Sequence, residues 1–289
     1  MARRSMKRKP RIDVRGEKAD IARGRQSQHR QWWERSNRVV HDDGKLLELE
    51  YLPETVMHWS CSQAPFDHPD AVPFLTAVRD SYQPELVICH GDELDLQFLK
   101  KAFMNAESPG PVRELDMGKQ FVAKVAKVFP RMLLLTSNHI HTRIRYAQSQ
   151  GNIPRIMMRD WREIIDAPAE WEWRDFIVAR EWLWEHGHDI GMGGRGTIAE
   201  ETVKRFGRPL SVMRGHIHSQ LGDHIKPIWI TPTRQLRMFY VGCLMDKHAV
   251  GYTRSPTVNG CAITYRGVPM PIPMPKDKRD RWTGSLPTW

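Results

Sequence analysis

Short apolar runs alternate along the chain with amphipathic stretches. Thr55-Val-Met-His-Trp-Ser60 reads as a buried strand, and the period of Ala71, Phe74, Leu75 and Val78 predicts a helix over 69–82. Before them, residues 45–51 alternate loosely and predict a short strand. The pattern then repeats, with a strand over 85–90 stopping at Gly91-Asp92, helical segments to about 128, and a strand over 131–136 stopping at Ser137-Asn-His139. An amphipathic helix over 155–167 (Ile156, Met157, Trp161, Ile164) precedes strands over 171–178 and 181–185, the second ending at His186-Gly-His188. A glycine-rich turn, Gly191-Met-Gly-Gly194, leads into a helix over 197–206 and a strand over 210–213 that ends at Arg214-Gly-His-Ile-His218. Residues 225–274 predict consecutive antiparallel strands split by Pro and Gly turns. Buried strands alternating with helices predict an α/β sandwich with a largely parallel core.

Composition bounds the reading. With 289 residues, 40% apolar, and 11 Trp, the chain can build one sizeable core. The expected organisation is a mobile basic arm over 1–44, one domain over 45–275 and a charged, proline-containing tail over 276–289. No apolar stretch is long enough for a membrane span and the N-terminus lacks a signal-peptide core, so a soluble, cytoplasmic protein with no membrane partner is expected. The four cysteines stand singly, which argues against a zinc ribbon or a disulfide scaffold and suits a reducing compartment. A formal net charge of +10 points to polyanionic partners, DNA or RNA among them. The arm carries much of that charge, and a merely solubilising tail is the competing reading of it.

Ligand-type residues collect where the apolar strands stop: Asp92, Asn138, His139, His186, His188, His216 and His218. Carboxyl ends of strands are where ligand sites gather in α/β sheets. Each motif alone has a structural explanation, such as a turn or a helix cap, but all four follow apolar strands in order. Imidazole, carboxylate and amide oxygen together suit a divalent transition metal, Mn, Fe, Zn or Ni.

The series Gly91-Asp-Glu-Leu-Asp95, Ser137-Asn-His139, His186-Gly187 and Gly215-His-Ile-His218, with Val241-Gly-Cys-Leu244 after it, resembles the calcineurin-like metallophosphoesterase family, including its phage-encoded and bacterial members. The resemblance implies two mixed sheets flanked by helices, with a centre of one or two metal ions above the strand ends. By position, Asp92 resembles the carboxylate shared by both metals. Asn138, His186 and His216 resemble the remaining ligands of one ion, and His218 resembles a ligand of its neighbour. His139 matches the histidine that assists the leaving oxygen, a role open to imidazole. Manganese is the first expectation for the metal.

The resemblance breaks at the first motif. An Asp-x-His pair is expected there, and the phrase Ser60-Cys-Ser-Gln63-Ala-Pro-Phe66 places Cys61 and Gln63 in its stead as candidate metal ligands, a thiolate that would select a softer ion such as zinc and a weak neutral amide oxygen. Asp67 and His68 are nearby substitutes if the loop folds back. Ile140 replaces an acidic residue that orients the histidine, a task left to His141 or Asp95. Arg143, Arg145, Arg195 and Arg214 lie near the motifs; Arg143, Arg214 and His188 are the expected substrate contacts. The resemblance thus implies a metal-dependent phosphoesterase: a phosphodiesterase, phosphatase or nuclease, acting in a host cytoplasm if phage-encoded. The competing expectation is a phosphoesterase fold impaired at its first site that binds nucleic acid without hydrolysis.

Overall fold

The computed structural model describes residues 38–41, 44–99, 109–151, 158–188, 195–224, 228–231, 234–250 and 256–287. The arm up to residue 37, Ile156, Met157 and the Gly191–Gly194 turn lie outside the described residues. The strands are β1 (Arg38–His41), β2 (Leu46–Leu49), β3 (Thr55–Trp59), β4 (Leu86–Cys89), β5 (Met132–Leu135), β6 (Trp171–Arg174), β7 (Phe176–Ala179), β8 (Trp182–Glu185), β9 (Ser211–Arg214), β10 (Leu221–Asp223), β11 (Ile228–Thr231), β12 (Arg234–Leu236), β13 (Met238–Val241), β14 (Gly260–Tyr265) and β15 (Val268–Pro273). The helices are α1 (Ala71–Tyr82), α2 (Pro111–Val128), α3 (Arg143–Gln150), α4 (Trp161–Ile164) and α5 (Arg195–Phe206).

Two mixed sheets form the body of the fold. One has the order β15-β14-β3-β4-β5-β6, with β3 to β6 parallel and β14 antiparallel at their side. The other has the order β1-β2-β7-β8-β9-β13-β10, in which β8, β9 and β13 run parallel. A separate hairpin pairs β11 with β12. Strands β4 and β5 are buried along their whole length, as expected of strands covered on both faces. Helix α1 lays Ala71, Phe74, Leu75 and Val78 on the first sheet, and α2 adds Leu115, Phe121, Val122 and Val125 to the same core. Each Val, Leu and Phe among them contributes about 1.5–3 kcal/mol by leaving water. Phe206 of α5 packs on the core of the second sheet. The architecture is therefore an α/β sandwich of two mixed sheets flanked by helices. Among the described residues no helix is long and apolar enough to cross a membrane.

Two expectations need correction. The single strand over 171–178 is two strands in different sheets, β6 and β7. The chain switches at Asp175, where Lys45 O accepts the N–H groups of Asp175 and Phe176 at 2.8 and 3.0 Å and Asp175 Oδ1 accepts the Thr136 hydroxyl at 2.6 Å. The C-terminal strands are not simply antiparallel neighbours: β13 joins β9 in parallel, and β14 crosses to β3 in the other sheet.

Near the ends of the described chain, β1 pairs antiparallel with β2. Arg281 pairs with Asp70 at 2.5 and 2.7 Å, and the Trp282 ring meets Phe74 edge-on.

Candidate metal centre

Strands β3, β4 and β5 of one sheet and β8 and β9 of the other end at one place. The loops after β3 and β4 run side by side there, with the N–H groups of Cys61, Gln63 and Ala64 donating to the carbonyls of Gly91, Asp92 and Glu93 at 2.9–3.0 Å. Cys61, Gln63, Asp92 and His216 all adopt left-handed backbone, φ between 50° and 63°. Each such residue costs on the order of 1–2 kcal/mol, a strain that collects at functional sites. Gly91, at φ +88°, is required by space as well, since a Cβ there would lie 2.8 Å from Ser137 Cβ and 2.9 Å from His186 Nδ1.

Asp92 is fully buried at the centre. Its Oδ1 accepts the His139 N–H at 3.3 Å, and its Oδ2 lies 3.2 Å from His186 Nε2. Burial alone would raise this carboxyl, but the imidazoles of His139 and His186 hold it well below the usual carboxylate range. His186 Nδ1 donates to the His90 carbonyl at 2.6 Å, so the neutral ring turns a lone pair at Nε2 toward Asp92 Oδ2 and toward Asn138 Oδ1, 2.9 Å away. Three lone-pair atoms facing one another call for a cation among them, either a proton on the ring or a metal ion. Burial lowers the basicity of His186, and Asp92 with these hydrogen bonds outweighs it, so its pKa is raised.

His216 completes the group, its ring 5.1 Å from that of His186. Single ligand atoms of Asp92, His186 and His216 all lie within 4.8 Å of one another, and the same holds for Cys61, Asp92 and His218. Burial, helped by His186 in the case of His216, lowers both His216 and His218 to about 4, so both offer lone pairs at neutral pH. A buried carboxylate, an amide oxygen and neutral imidazoles fit a divalent transition metal. At the Cys61 position, burial and then Asp92 push the thiol well above its ordinary value. Gln63 Nε2 lies 3.1 Å from His218 Nε2.

His139, almost buried, sits beside this cluster with Nε2 3.8 Å from Asp92 Oδ2. Its Nδ1 lies 2.6 Å from Asp95 Oδ1. Arg143 donates to the Asp95 carbonyl and reaches the same carboxylate oxygen at 3.3 Å. Glu114 of α2 accepts the N–H groups of Gln97 and Phe98 and so fixes the loop that carries Asp95. Asp95, not His141, therefore orients His139. His141 Nδ1 accepts the Ser137 N–H at 2.9 Å, and its ring meets Trp161 edge-on.

Other expected residues are placed differently. Arg214 is buried and paired with Glu185 at 2.8 Å, so it serves the interior and not a substrate. Arg143 is committed to Asp95. His188 is half-buried, with its ring 5.4 Å from that of His186. His68 does not fold back: its Nδ1 accepts the Asp70 N–H at 3.1 Å and its Nε2 donates to the Asp280 carbonyl at 2.7 Å. Asp67 bridges to Met245; burial lifts it to about 6, and Lys124 and Asp246 are its charged neighbours.

Behind the centre lies a buried polar relay that the sequence reading missed. The Thr264 hydroxyl donates to His58 Nε2 at 2.9 Å, His58 Nδ1 to His90 Nε2 at 3.0 Å, and His90 Nδ1 to the Glu185 carbonyl at 3.1 Å. Burial first, and neighbouring imidazoles second, keep both rings neutral, His58 well below its ordinary value and His90 near 3. The relay ties the two sheets together, and the carbonyl of His90 fixes the tautomer of His186. Histidines inside the apolar strand β3 and at the end of the apolar run over 85–90 were its signals.

No protein-family model matches the sequence, and no curated protein matches it. Among solved structures, the chain is similar to YfcE, a phosphoesterase from E. coli (11% identity, 72% of this chain and 86% of that one, TM-score 0.36). It is also similar to Vacuolar Protein Sorting 29 from Cryptosporidium parvum (9%, 82% and 96%, TM-score 0.43) and to the nuclease MPE of Pseudomonas putida (11%, 82% and 99%, TM-score 0.31). Likeness this distant leaves the chemistry of the site to its own geometry.

Proposed function

We propose that the chain is a metal-dependent phosphoesterase of the calcineurin-like type. The observation that carries this reading is the convergence of Asp92, Asn138, His186 and His216, from the ends of β4, β5, β8 and β9, beside an oriented His139. A divalent ion, manganese first among the candidates, held by those four residues would supply Lewis acidity toward a phosphoryl oxygen and toward water. Asp92 offsets the positive charge of the site. His139 carries a proton on Nε2 to the departing oxygen, while Asp95 holds Nδ1 and aims the ring. Arg143 keeps Asp95 in place, and the near-complete burial of His139 limits competing bulk water.

The preferred substrate class is a nucleic-acid phosphodiester. The net charge of +10 supports it, as do Arg145 and Tyr146, exposed on α3 directly after the His139 segment. One observation favours a second reading, binding without hydrolysis: the Gln63 amide occupies the His218 nitrogen where an imidazole and a carboxylate are missing.

Hydrolysis of bis(p-nitrophenyl) phosphate by the purified chain, with Mn²⁺ or with EDTA, separates the two. Metal-dependent turnover that is lost in His139→Ala and His216→Ala is expected. No turnover with any divalent ion, together with retained binding of DNA or RNA, selects the second reading. Affinity for a nucleic acid that does not fall with salt removes the substrate class.

A further inference from the structure

We propose that Cys61 is a metal ligand, its sulfur forming with Asp92 and His218 a soft position for zinc beside the nitrogen-and-oxygen position of Asp92, Asn138, His186 and His216. This deepens the metal-centre reading, on whose Asp92 it rests, and it does not require turnover.

Geometry comes first. Cys61 Sγ, a carboxylate oxygen of Asp92 and a ring nitrogen of His218 lie within 4.8 Å of one another, a spacing that one ion can span with small side-chain shifts. The left-handed backbone at Cys61 is held by hydrogen bonds on both sides, from its own N–H to Gly91 O and from Leu244 N–H to its carbonyl, at 3.0 and 3.1 Å. The sulfur is therefore placed by the main chain and not by a mobile loop.

The sulfur is also presented as an acceptor. It receives the His216 N–H at 3.3 Å and lies 2.8 Å from Ser60 Oγ. Cys243 is turned the other way, with its thiol donating to the carbonyls of His218 and Val258 at 3.5 and 3.6 Å, and the Cys89 thiol points to Gly91 O at 4.0 Å. On one side Cys61 packs in an apolar cluster with Phe66, Cys243, Met245 and Val250. An anionic sulfur there needs a cation in direct contact. As the sulfur–metal bond forms, the thiol proton passes to solvent.

The donor set then selects the ion. One thiolate, one shared carboxylate and one neutral imidazole match a borderline-soft ion, whereas Mn²⁺ and Mg²⁺ prefer oxygen. The Gln63 amide now 3.1 Å from His218 Nε2 must give way if that nitrogen binds the ion. The two positions would thus differ in metal preference while sharing Asp92.

Titration of the reduced, metal-free full chain with Co²⁺ tests this. A near-ultraviolet sulfur-to-cobalt charge-transfer band is expected in the wild type, in Cys243→Ser and in His216→Ala, and it should be absent from Cys61→Ser. X-ray absorption on the zinc-loaded wild type needs no variant and should show a sulfur neighbour near about 2.3 Å. A band that persists in Cys61→Ser, or a zinc shell of nitrogen and oxygen alone, overturns the proposal. A sulfur ligand without phosphoester hydrolysis would keep this inference and remove the function proposed above; metal-dependent hydrolysis without a sulfur ligand would do the reverse.

Discussion

His139 Nδ1 lies 2.6 Å from Asp95 Oδ1, and Arg143 reaches the same carboxylate oxygen from the next helix. A carboxylate in that place fixes the orientation of the ring. His139→Gln should therefore lower kcat on the order of 10²-fold or more with bound metal unchanged. Asp95→Asn should lower kcat by less, because an amide can still reach Nδ1 but holds the ring less firmly. Steady-state kinetics with parallel metal analysis check this, and an unchanged kcat in Asp95→Asn would remove the positioning role.

The ends of the strands were legible in the sequence because an apolar run that stops at a polar ligand-type residue carries both the element and its chemistry. Asp92, Asn138, His186, His216 and His218 were read that way, and the structure gathers them at one place. Contacts that depend on loop closure were not legible as choices: His141 and Asp95 were equally good partners for His139 until Glu114 pinned the loop over Gln97 and Phe98. Arg214 shows another limit, since a cation at a strand end looks the same in sequence whether it faces solvent or a buried Glu185. The switch of sheet at Asp175 escaped for a related reason. Apolar periodicity reports burial, and β6 buries alternate residues while β7 buries three of four, so it does not report which sheet buries them.

Metal binding should appear as stability. The cluster crowds Asp92, Asn138 and His186 together around lone pairs, and an ion that binds only the folded chain stabilises it by about 2.7 kcal/mol at 100 times its Kd. Thermal unfolding with Mn²⁺ against EDTA should show a concentration-dependent rise in Tm. The rise should vanish when Asn138→Ala and His216→Ala are combined. An equal rise in that double variant would place the ion elsewhere.

The close approach of Gly215 to Ser60 holds the ends of β9 and β3 together. A Cβ at Gly215 would fall 1.9 Å from Ser60 Oγ and 2.8 Å from Ser60 Cβ. Gly215→Ala should cost about 1–3 kcal/mol by overpacking. Adding Ser60→Gly removes both offending atoms, so the double variant should recover most of that loss, giving a coupling energy measurable by urea unfolding. Additive losses would mean that the strain is relieved by movement of the strands instead.

Acid should act on the relay behind the centre. Burial keeps His58 neutral in the fold, with His90 near 3 beside it, whereas an unfolded histidine takes up its proton near pH 6.5. Below that pH the unfolded chain binds more protons than the folded one, so each such histidine withdraws about 1.4 kcal/mol of stability per unit of pH as the solution is acidified. Burial raises Glu93 to about 7, so that residue runs in the opposite sense: it protonates in the fold first and is favoured by acid down to its unfolded value. A difference between two chains that both contain Glu93 cancels this contribution. In His58→Gln the amide can still donate toward His90 and accept from Thr264, so the fold keeps its relay with one titrating ring fewer. Urea unfolding in EDTA between pH 6.5 and 4.5 should then show a slope shallower than wild type by about 1.4 kcal/mol per pH unit. Parallel slopes would mean that His58 is already protonated in the folded state, with its Nε2–H donating to the Thr264 hydroxyl instead of accepting from it.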